Sequence, residues 1–373
     1  MAEASWSTTK ASTSSVRTAG LSRRSVATVE IGGWRLEVLA TPGHTPHHVA
    51  YLLTGPDGPV AALTGGSMLV GSVGRCDLVA PELTVGLIRD QHRSVRRLAS
   101  VLPGAVVVAP THGAGSFCST TPAGDRTSTV ATERRDNPAV RTDDVDVFVA
   151  DQLASATAYP TYYRHMAPIN LAGGDPMPAG EVPELGPDEI DDFDGEVIDL
   201  RPIDVSAAGR IPGSIPIPMA DDVAGYAAWI VPWGTPLALV GPAGDVAAVR
   251  TQLARIGHDR VVGAVTDGLA GWIGSGRSLV SYEVVAAVDL LRAEPEHVLD
   301  VRDPVEYRKG AVPGSVNIHV ASVPSRLEEL PKGEIWVYCA SGYRAAMAAG
   351  LLARSGRRPV LVTGDPAAVT SGG

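Results

Sequence analysis

Alternation of apolar and polar residues predicts a β-hairpin in the first part of the chain. Residues 28–39 consist of two alternating runs on either side of Gly32 and Gly33. A Gly-Gly pair between such runs is a strong hairpin signal, because glycine accepts the positive φ angles of a tight turn. Farther along, apolar residues at helical spacing predict a helix over roughly residues 83–102.

The later part of the chain repeats a pattern of apolar β-branched runs and helical stretches rich in Ala, Leu and Arg. This alternation predicts a parallel sheet that is covered on both faces by helices. One copy has an Asp-x-Arg strand end at Asp199 and a Pro-Gly-Ser turn at Pro212, and the other has these features at Asp300 and Pro313. Since the copies lie about a hundred residues apart, they predict tandem domains rather than a solenoid.

The segment 339–345 reads Cys-Ala-Ser-Gly-Tyr-Arg-Ala and carries the strongest candidate chemistry. It lies between a β-like stretch and a strong helix-forming stretch, so that backbone N–H groups and the helix N-terminus converge on the sulfur of Cys339. Arg344 adds a formal positive charge. These features favour the thiolate over the thiol and would hold a cysteine persulfide in the same way. The alternative is a buried cysteine that packs as a small apolar side chain.

The spacing from Cys339 to Arg344 is one residue shorter than the Cys-x5-Arg loop of cysteine-based phosphatases, which suits a smaller sulfur anion. The segment resembles the six-residue active-site loop of rhodanese sulfurtransferases, and residues 298–318 resemble the strand and turn that precede it. The resemblance implies catalysis by Cys339 and Arg344. It also implies substrate binding by the other loop residues, Ala340, Ser341, Gly342 and Tyr343. We expect Asp300 and Arg302 to brace the sheet and loop rather than to contact substrate.

The first copy of the repeat lacks this loop. Aligning residues 252–257 with residues 351–356 places Val240 opposite Cys339 and an aspartate opposite the loop arginine. That aspartate is Asp245. We therefore expect residues 190–275 to fold like a rhodanese without catalysing sulfur transfer. The role expected for this copy is that of a spacer, a docking surface or a wall of the neighbouring site.

The first third of the chain resembles the C-terminal half of the metallo-β-lactamase fold. The resemblance lies in Thr-Pro-Gly-His at residues 41–44, Thr-Gly-Gly-Ser at 64–67 and Thr-His-Gly at 111–113. Within that superfamily the segment is most similar to persulfide dioxygenases, and the order of modules resembles bacterial persulfide dioxygenase–sulfurtransferase fusions. Those dioxygenases hold one Fe(II) through two histidines and a carboxylate. The resemblance therefore assigns His44 to a metal site.

We expect this metal site to be degenerate. The family's first motif, His-x-His-x-Asp-His, is absent, and Gly66 stands where the family has an aspartate. His112 matches a family histidine that is not an iron ligand in the dioxygenase branch. Loss of Fe(II) is thus the expectation, with zinc binding by His47, His48 and His112 as the alternative. Cys118 is a secondary thiol that could carry a persulfide beside the iron of an intact relative.

The predicted fold is α/β, with a partial metallo-β-lactamase-like αββα module followed by two rhodanese-like α/β domains. The predicted divisions are an unmatched segment (1–26), the half module (27–171), a linker (172–189), an inactive domain (190–275) and an active domain (280–373). Residues 1–26 are rich in Ser, Thr and Arg and poor in acid. We interpret them as a frameshift or misplaced start, with a natural deletion or a transit peptide as alternatives. Such an N-terminal truncation predicts an exposed apolar sheet face in the first module.

Composition narrows the class of protein. Acidic residues outnumber basic residues by 41 to 31, and the basic residues are scattered, which argues against nucleic-acid binding. No apolar run reaches the roughly 18 residues that span a membrane. Three cysteines argue against a disulfide framework. The composition favours a cytoplasmic chain and leaves a homo-oligomer open. The resemblance to rhodaneses implies small-molecule sulfur donors and thiol or sulfite acceptors as partners.

The predicted function is sulfur transfer from thiosulfate or a persulfide through Cys339, without a cofactor, in the detoxification of sulfide and persulfide. One alternative is residual metal-dependent chemistry in the first module, either persulfide oxidation or hydrolysis like that of hydroxyacylglutathione hydrolase. The other alternative is a non-catalytic sulfur-relay or binding protein.

Overall fold

The computed structural model of the chain describes residues 28–111, 125–156, 160–177 and 179–366. These residues form two compact units, and the boundary between the units lies between Ala154 and Ser155. Both units are mixed α/β, as the sequence predicts. In the described ranges, no helix combines the length and the apolar character needed to cross a membrane.

The first unit is built on a mixed sheet of six described strands whose order follows the sequence. The strands are β1 (Thr28–Ile31), β2 (Trp34–Ala40), β3 (Val49–Gly55), β4 (Gly58–Gly65), β5 (Val107–Pro110) and β6 (Ser128–Thr129). The helices are α1 (Thr84–Val101), α2 (Val130–Asp136), α3 (Pro138–Arg141) and α4 (Val145–Ala154). β4 and β5 pair in parallel, and the other described pairs are antiparallel.

The hairpin and the helix predicted for the first unit are both confirmed. β1 and β2 pair antiparallel, and Gly32 and Gly33 between them have φ angles of +53° and +85°. The helix α1 covers the predicted range and packs on the sheet through a buried apolar stripe. That stripe consists of Leu87, Ile88, Val95 and Leu98.

The opposite face of this sheet exposes apolar side chains. Tyr51 pairs with Leu63 across β3 and β4, and these two side chains are 38% and 45% exposed. Leu52 and Ala62 are buried on the other face, because successive side chains of a strand alternate between faces. The exposed set continues onto β1 and β2 with Val29, Ile31 and Trp34. The apolar face that the sequence predicts to be exposed is therefore present in the described part of the first unit.

The second unit contains two consecutive βα repeats. The first comprises α5 (Tyr163–Ala172), α6 (Pro187–Asp191), β7 (Glu196–Asp199), α7 (Ile203–Ala208), β8 (Ile215–Pro216), α8 (Val223–Ile230), β9 (Leu237–Val240), α9 (Ala243–Arg255), β10 (Val261–Val265) and α10 (Ala270–Gly274). The second comprises β11 (Glu283–Ala286), α11 (Ala287–Ala293), β12 (Val298–Asp300), α12 (Pro304–Lys309), β13 (Val316–Asn317), α13 (Val323–Arg326), β14 (Glu334–Tyr338), α14 (Tyr343–Arg354) and β15 (Arg358–Thr363).

Each repeat forms its own parallel sheet, with strand order β10-β9-β7-β8 in the first and β11-β15-β14-β12-β13 in the second. The two sheets share one buried apolar cluster, which runs from Ile198 and Leu239 of the first repeat to Leu299 and Leu352 of the second. At the rim, Arg354 pairs with Glu196 at 2.5 Å. The two repeats are therefore packed together as one body of the fold.

The segment around α5 belongs to the second unit, although the sequence analysis placed it in the first module. The Thr161 N–H donates to the Ala228 carbonyl at 3.4 Å, and the His165 ring stacks on Trp233 with centroids 4.3 Å apart. The end of the predicted linker is also structured, because Leu185 N–H donates to the carbonyl of Ala264 in β10 at 2.7 Å.

Candidate active site

Cys339 lies at the carboxyl end of β14, at the start of the active-site loop (residues 339–344) that leads into α14. It is 1% exposed, and the Gly342 N–H donates a hydrogen bond to its Sγ at 3.2 Å. Gly342 has a φ angle of +92°, which directs this N–H toward the sulfur. A Cβ at this position would lie 3.3 Å from Cγ2 of Thr363. The loop thus holds a buried sulfur against a backbone donor.

The Arg344 guanidinium forms a bidentate ion pair with Glu306 of α12, with N–O distances of 2.6 and 2.8 Å. Burial opposes the charge of Arg344, but its hydrogen bonds to Glu306 and the nearby acidic groups together raise the pKa of the arginine. Burial also opposes the charge of Glu306, yet the contact with Arg344 holds the pKa of this carboxyl below its ordinary value. Glu306 lies in the stretch that resembles rhodaneses, but sequence reasoning assigned it no role, because a glutamate on a separate helix gives no signal that it faces the loop.

The other loop residues face either solvent or the neighbouring repeat. Ala340 and Ser341 are exposed, and Ser341 Oγ accepts a 3.5 Å hydrogen bond from the Tyr343 N–H. The Tyr343 hydroxyl donates to the carbonyl of Pro218 at 2.7 Å. Tyr343 therefore anchors the active-site loop to the first repeat, a role that the sequence analysis did not assign to it.

Aromatic residues of the first repeat approach the same loop. The Tyr226 ring on α8 lies 4.7 Å from the Tyr343 ring, and the Trp229 ring lies 4.9 Å from the His319 ring, measured between centroids. Burial raises the pKa of Tyr226 and lowers the pKa of His319. The first repeat thus forms a wall beside the loop, which is one of the three roles that the sequence left open.

Asp300 and Arg302 brace the strand and turn that precede the loop. Arg302 Nε and Nη2 donate to the Asp300 carboxylate at 3.0 and 2.7 Å, and Nη2 also donates to the Gly310 carbonyl at 2.8 Å. The first repeat has the same contacts, formed by Asp199, Arg201 and Gly209. The described contacts support the bracing role expected for this pair.

The predicted equivalence of Val240 and Cys339 is wrong. Asp199 of the first repeat pairs with Val240, whereas its counterpart Asp300 pairs with Tyr338, so that Gly241 occupies the position of Cys339. The sequence alignment counted back from the ends of the two helices, but the loop and helix together are one residue shorter in the first repeat. The conclusion about the first repeat is unchanged, since glycine has no nucleophilic side chain.

The candidate metal ligands of the first unit do not fit the facial triad. The rings of His44 and His48 lie 5.8 Å apart, but His48 Nε2 accepts a hydrogen bond from the Gly66 N–H at 3.1 Å. A Cβ on Gly66 would lie 2.3 Å from Cδ2 of His44, so an aspartate has no room in this arrangement. No group of three or more His, Cys, Asp or Glu residues in the described ranges could hold a metal ion.

The remaining candidates carry no chemistry that the structure describes. His47 is exposed, and His112 and Cys118 lie outside the described residues. Cys76 is buried with its Sγ 3.7 Å from the Gly74 carbonyl, and burial raises the pKa of its thiol to about 12. Cys76 therefore stays protonated at neutral pH and is a poor nucleophile.

The chain is similar in sequence to sulfur-transferring proteins. Residues 284–368 match the family described as Rhodanese-like domain. The putative sulfur carrier protein YrkF of Bacillus subtilis (strain 168) is 39% identical over 69 residues, which are 18% of this chain and 37% of that protein. A sulfurtransferase of Allochromatium vinosum is 35% identical over 72 residues, which are 18% of this chain and 67% of that protein. The chain therefore spans little more than a third of the first relative and two thirds of the second.

The fold also has a relative among solved structures. A metallo-beta-lactamase from Staphylococcus aureus subsp. aureus COL is 26% identical, with a TM-score of 0.57, and the similarity covers 65% of this chain and 71% of that one. The predicted combination of a metallo-β-lactamase fold with rhodanese-like domains is thereby confirmed. Through the domain that carries Cys339, this chain belongs to the rhodanese-type sulfurtransferases.

Proposed function

We propose that this chain transfers sulfane sulfur through a persulfide on Cys339. The observation that carries the proposal is the loop geometry, in which a buried Sγ receives the Gly342 N–H and lies within electrostatic reach of Arg344. The Cys339 thiolate attacks the outer sulfur of thiosulfate or of a low-molecular-weight persulfide. The donor S–S bond breaks, and its electron pair leaves with sulfite or with a thiolate. One S–S bond forms for each one broken, so the step needs no oxidant.

The second half of the reaction returns the enzyme to its starting state. A thiol, sulfite or cyanide attacks the outer sulfur of the Cys339 persulfide, and Cys339 leaves as a thiolate. In both steps negative charge accumulates on sulfur, where the Gly342 N–H and the Arg344 guanidinium stabilise it. The process served is sulfide and persulfide detoxification in the cytoplasm, where reducing conditions keep Cys339 available.

The first unit is assigned no catalytic step in this proposal. The Gly66 N–H bonded to His48 and the crowded space beside His44 support a degenerate dioxygenase module. Sulfur transfer would then proceed without metal. Purified protein treated with a chelator is expected to keep its sulfurtransferase activity.

The test is sulfurtransferase turnover with thiosulfate and with glutathione persulfide in the parent chain and two variants. Cys339→Ser removes the nucleophile and is expected to lower turnover by more than about a thousandfold with both donors. Cys76→Ser is the matched control, because it removes the other buried cysteine of the described residues. It is expected to leave turnover within about twofold, since a protonated buried thiol does not react.

Two results would contradict the proposal. Turnover that survives in Cys339→Ser would assign the chemistry to another thiol, such as Cys118. Absence of turnover in the parent chain with both donors would favour the sulfur-relay alternative.

A further inference from the structure

The cation of the active-site loop is already neutralised before any substrate enters. Both terminal nitrogens of Arg344 bond to the two carboxylate oxygens of Glu306. The Arg344 side chain is 16% exposed and that of Glu306 is 38% exposed, so water screens the charges of this pair only in part. An anionic donor that approaches Arg344 therefore meets a carboxylate at the same place.

Glu306 is held in this position by its own helix. The backbone N–H of Asp303, which caps α12, donates to Glu306 Oε2 at 3.1 Å, while the Asp303 carboxylate accepts from the Val305 N–H at 2.7 Å. This reciprocal capping box fixes the third residue of the helix relative to its first turn. Glu306 is thus oriented by backbone contacts as well as by Arg344.

Further acidic groups face the wall beside the loop. Asp222 acts electrostatically on Tyr226 and Tyr343, and Asp303 acts on His319. Burial lowers the pKa of His319, so this ring is neutral at pH 7 and adds no positive charge.

A second arginine, Arg302, acts electrostatically on Glu306, but its own charge is already balanced by two aspartates. Its side chain bonds Asp300 at 2.7 Å and lies 3.8 Å from Asp365. Among these described groups the acids therefore outnumber the bases, even before Cys339 ionises.

We infer that Glu306 is a specificity-determining residue that directs the loop toward donors whose reacting group carries at most one negative charge and against dianionic thiosulfate. The inference rests on the proposed sulfur transfer and names its donor class, the thiol-borne persulfides. Cys339–S⁻ attacks R–S–SH to give Cys339–S–SH and R–S⁻, or attacks S–SO₃²⁻ to give Cys339–S–S⁻ and SO₃²⁻. Only the second donor brings two charges beside the Glu306 carboxylate.

Thiosulfate and methanethiosulfonate form a matched pair of donors, because both release a sulfane sulfur but the second carries a single negative charge. Glu306→Gln keeps the size of the side chain and one oxygen that can accept hydrogen bonds from Arg344, while it removes the negative charge. It is expected to lower KM for thiosulfate about tenfold, which corresponds to about 1.4 kcal/mol, with kcat nearly unchanged. KM for methanethiosulfonate is expected to change by less than about threefold, since a monoanion feels about half of the repulsion.

Glu329→Gln is the control variant. Glu329 pairs with the exposed Arg326 on the surface of the same repeat. Its substitution is therefore expected to leave the ratio of the KM values for the two donors unchanged. A second measurement needs no variant. In the parent chain, raising NaCl from about 20 mM to about 300 mM should reduce the difference in KM between thiosulfate and methanethiosulfonate, because salt screens the repulsion by Glu306.

The opposing outcomes are distinct. If Glu306→Gln impairs both donors equally, Glu306 only positions Arg344 and the inference is wrong. A donor ratio that neither the substitution nor salt alters would also overturn it. Both results leave the proposed function intact, whereas a parent chain that uses neither donor would refute the function itself.

Discussion

The conformation of one glycine determines whether the sulfur of Cys339 has a backbone donor. Gly342 adopts a left-handed conformation that L side chains rarely take, and its N–H is the group that reaches Sγ. The residue therefore matters both for the stability of the loop and for the charge on sulfur.

We predict that Gly342→Ala lowers both stability and activity. The positive φ angle and the nearby Thr363 should cost about 1–2 kcal/mol in the free energy of unfolding. Displacement of the N–H should also lower kcat/KM by about tenfold or more. Urea unfolding and thiosulfate turnover measure the two effects.

Gly356→Ala separates these two effects. Gly356 follows α14 with a φ angle of +80° and has no atom within 4 Å of its ideal Cβ position. It should show the stability loss without the activity loss. Equal activity losses in both variants would mean that the N–H to Sγ contact contributes nothing.

The candidate site was predictable from the sequence where its chemistry is local. Cys339 and Arg344 lie within one loop, and the bracing pair Asp300 and Arg302 lies within three residues. The role of Glu306 was not predictable, because its contact with Arg344 joins two residues that lie 38 positions apart in the sequence and on different helices. Tyr226, Trp229 and His319 were missed for the same reason: packing between repeats brings them together.

At the scale of elements, the two repeats meet through a helix that carries a glycine at the contact. Gly350 lies in the middle of α14, and a Cβ there would lie 2.3 Å from Cδ of Pro216 in β8. The proline ring is rigid and cannot move aside as a flexible side chain would. The glycine thus permits a close approach of helix and strand.

We predict that Gly350→Ala destabilises the second unit, although alanine normally stabilises a helix. Alanine gains up to about 1 kcal/mol from helix propensity, but the overlap with Pro216 should cost about 1–3 kcal/mol. The urea midpoint of the unit is the measurement. Gly244→Ala in α9 is the control, since nothing lies within 4 Å of that position, and it should raise the midpoint.

A higher midpoint for Gly350→Ala would show that the two repeats are not held at this contact.

The elements of both repeats were predictable because apolar runs and helical stretches alternate regularly. The residue-by-residue correspondence between the two repeats was not predictable. Gly241, and not Val240, occupies the position of Cys339. Helices α9 and α14 end in similar sequences, but the span from the end of the preceding strand to the end of the helix is one residue shorter in the first repeat. A loop length is set by the turn it must make, and the periodicity of the flanking elements does not specify it.

At the scale of the whole molecule, buried histidines couple stability to pH. Burial lowers the pKa of four described histidines below 6.5: His44, His48, His258 and His319. The unfolded chain takes up protons on these rings near pH 6.5, before the folded chain does. The unfolded state therefore binds more protons below this pH, and stability rises with pH in that range.

We predict that the free energy of unfolding falls as the pH is lowered from about 7.5 to about 5.5. His258 is 3% exposed, neither ring nitrogen has a described partner, and its ring packs against Trp233. His258→Phe keeps a ring but cannot be protonated, so it should flatten the pH dependence. Urea midpoints followed by tryptophan fluorescence provide the measurement.

His47→Phe is the control, because His47 is exposed and the change should leave the slope as it is. A slope that is unaffected by His258→Phe would assign the pH dependence to other groups.

The bond from Tyr343 to Pro218 has a consequence for how the inactive repeat changes over evolution. The acceptor is a main-chain carbonyl, which every amino acid provides, so substitutions at position 218 leave the anchor in place. Selection at this position then acts on the backbone conformation that places the carbonyl and hardly on the identity of the side chain at position 218. A repeat that lost its nucleophile could accumulate changes freely here while it was retained for the support it gives its neighbour.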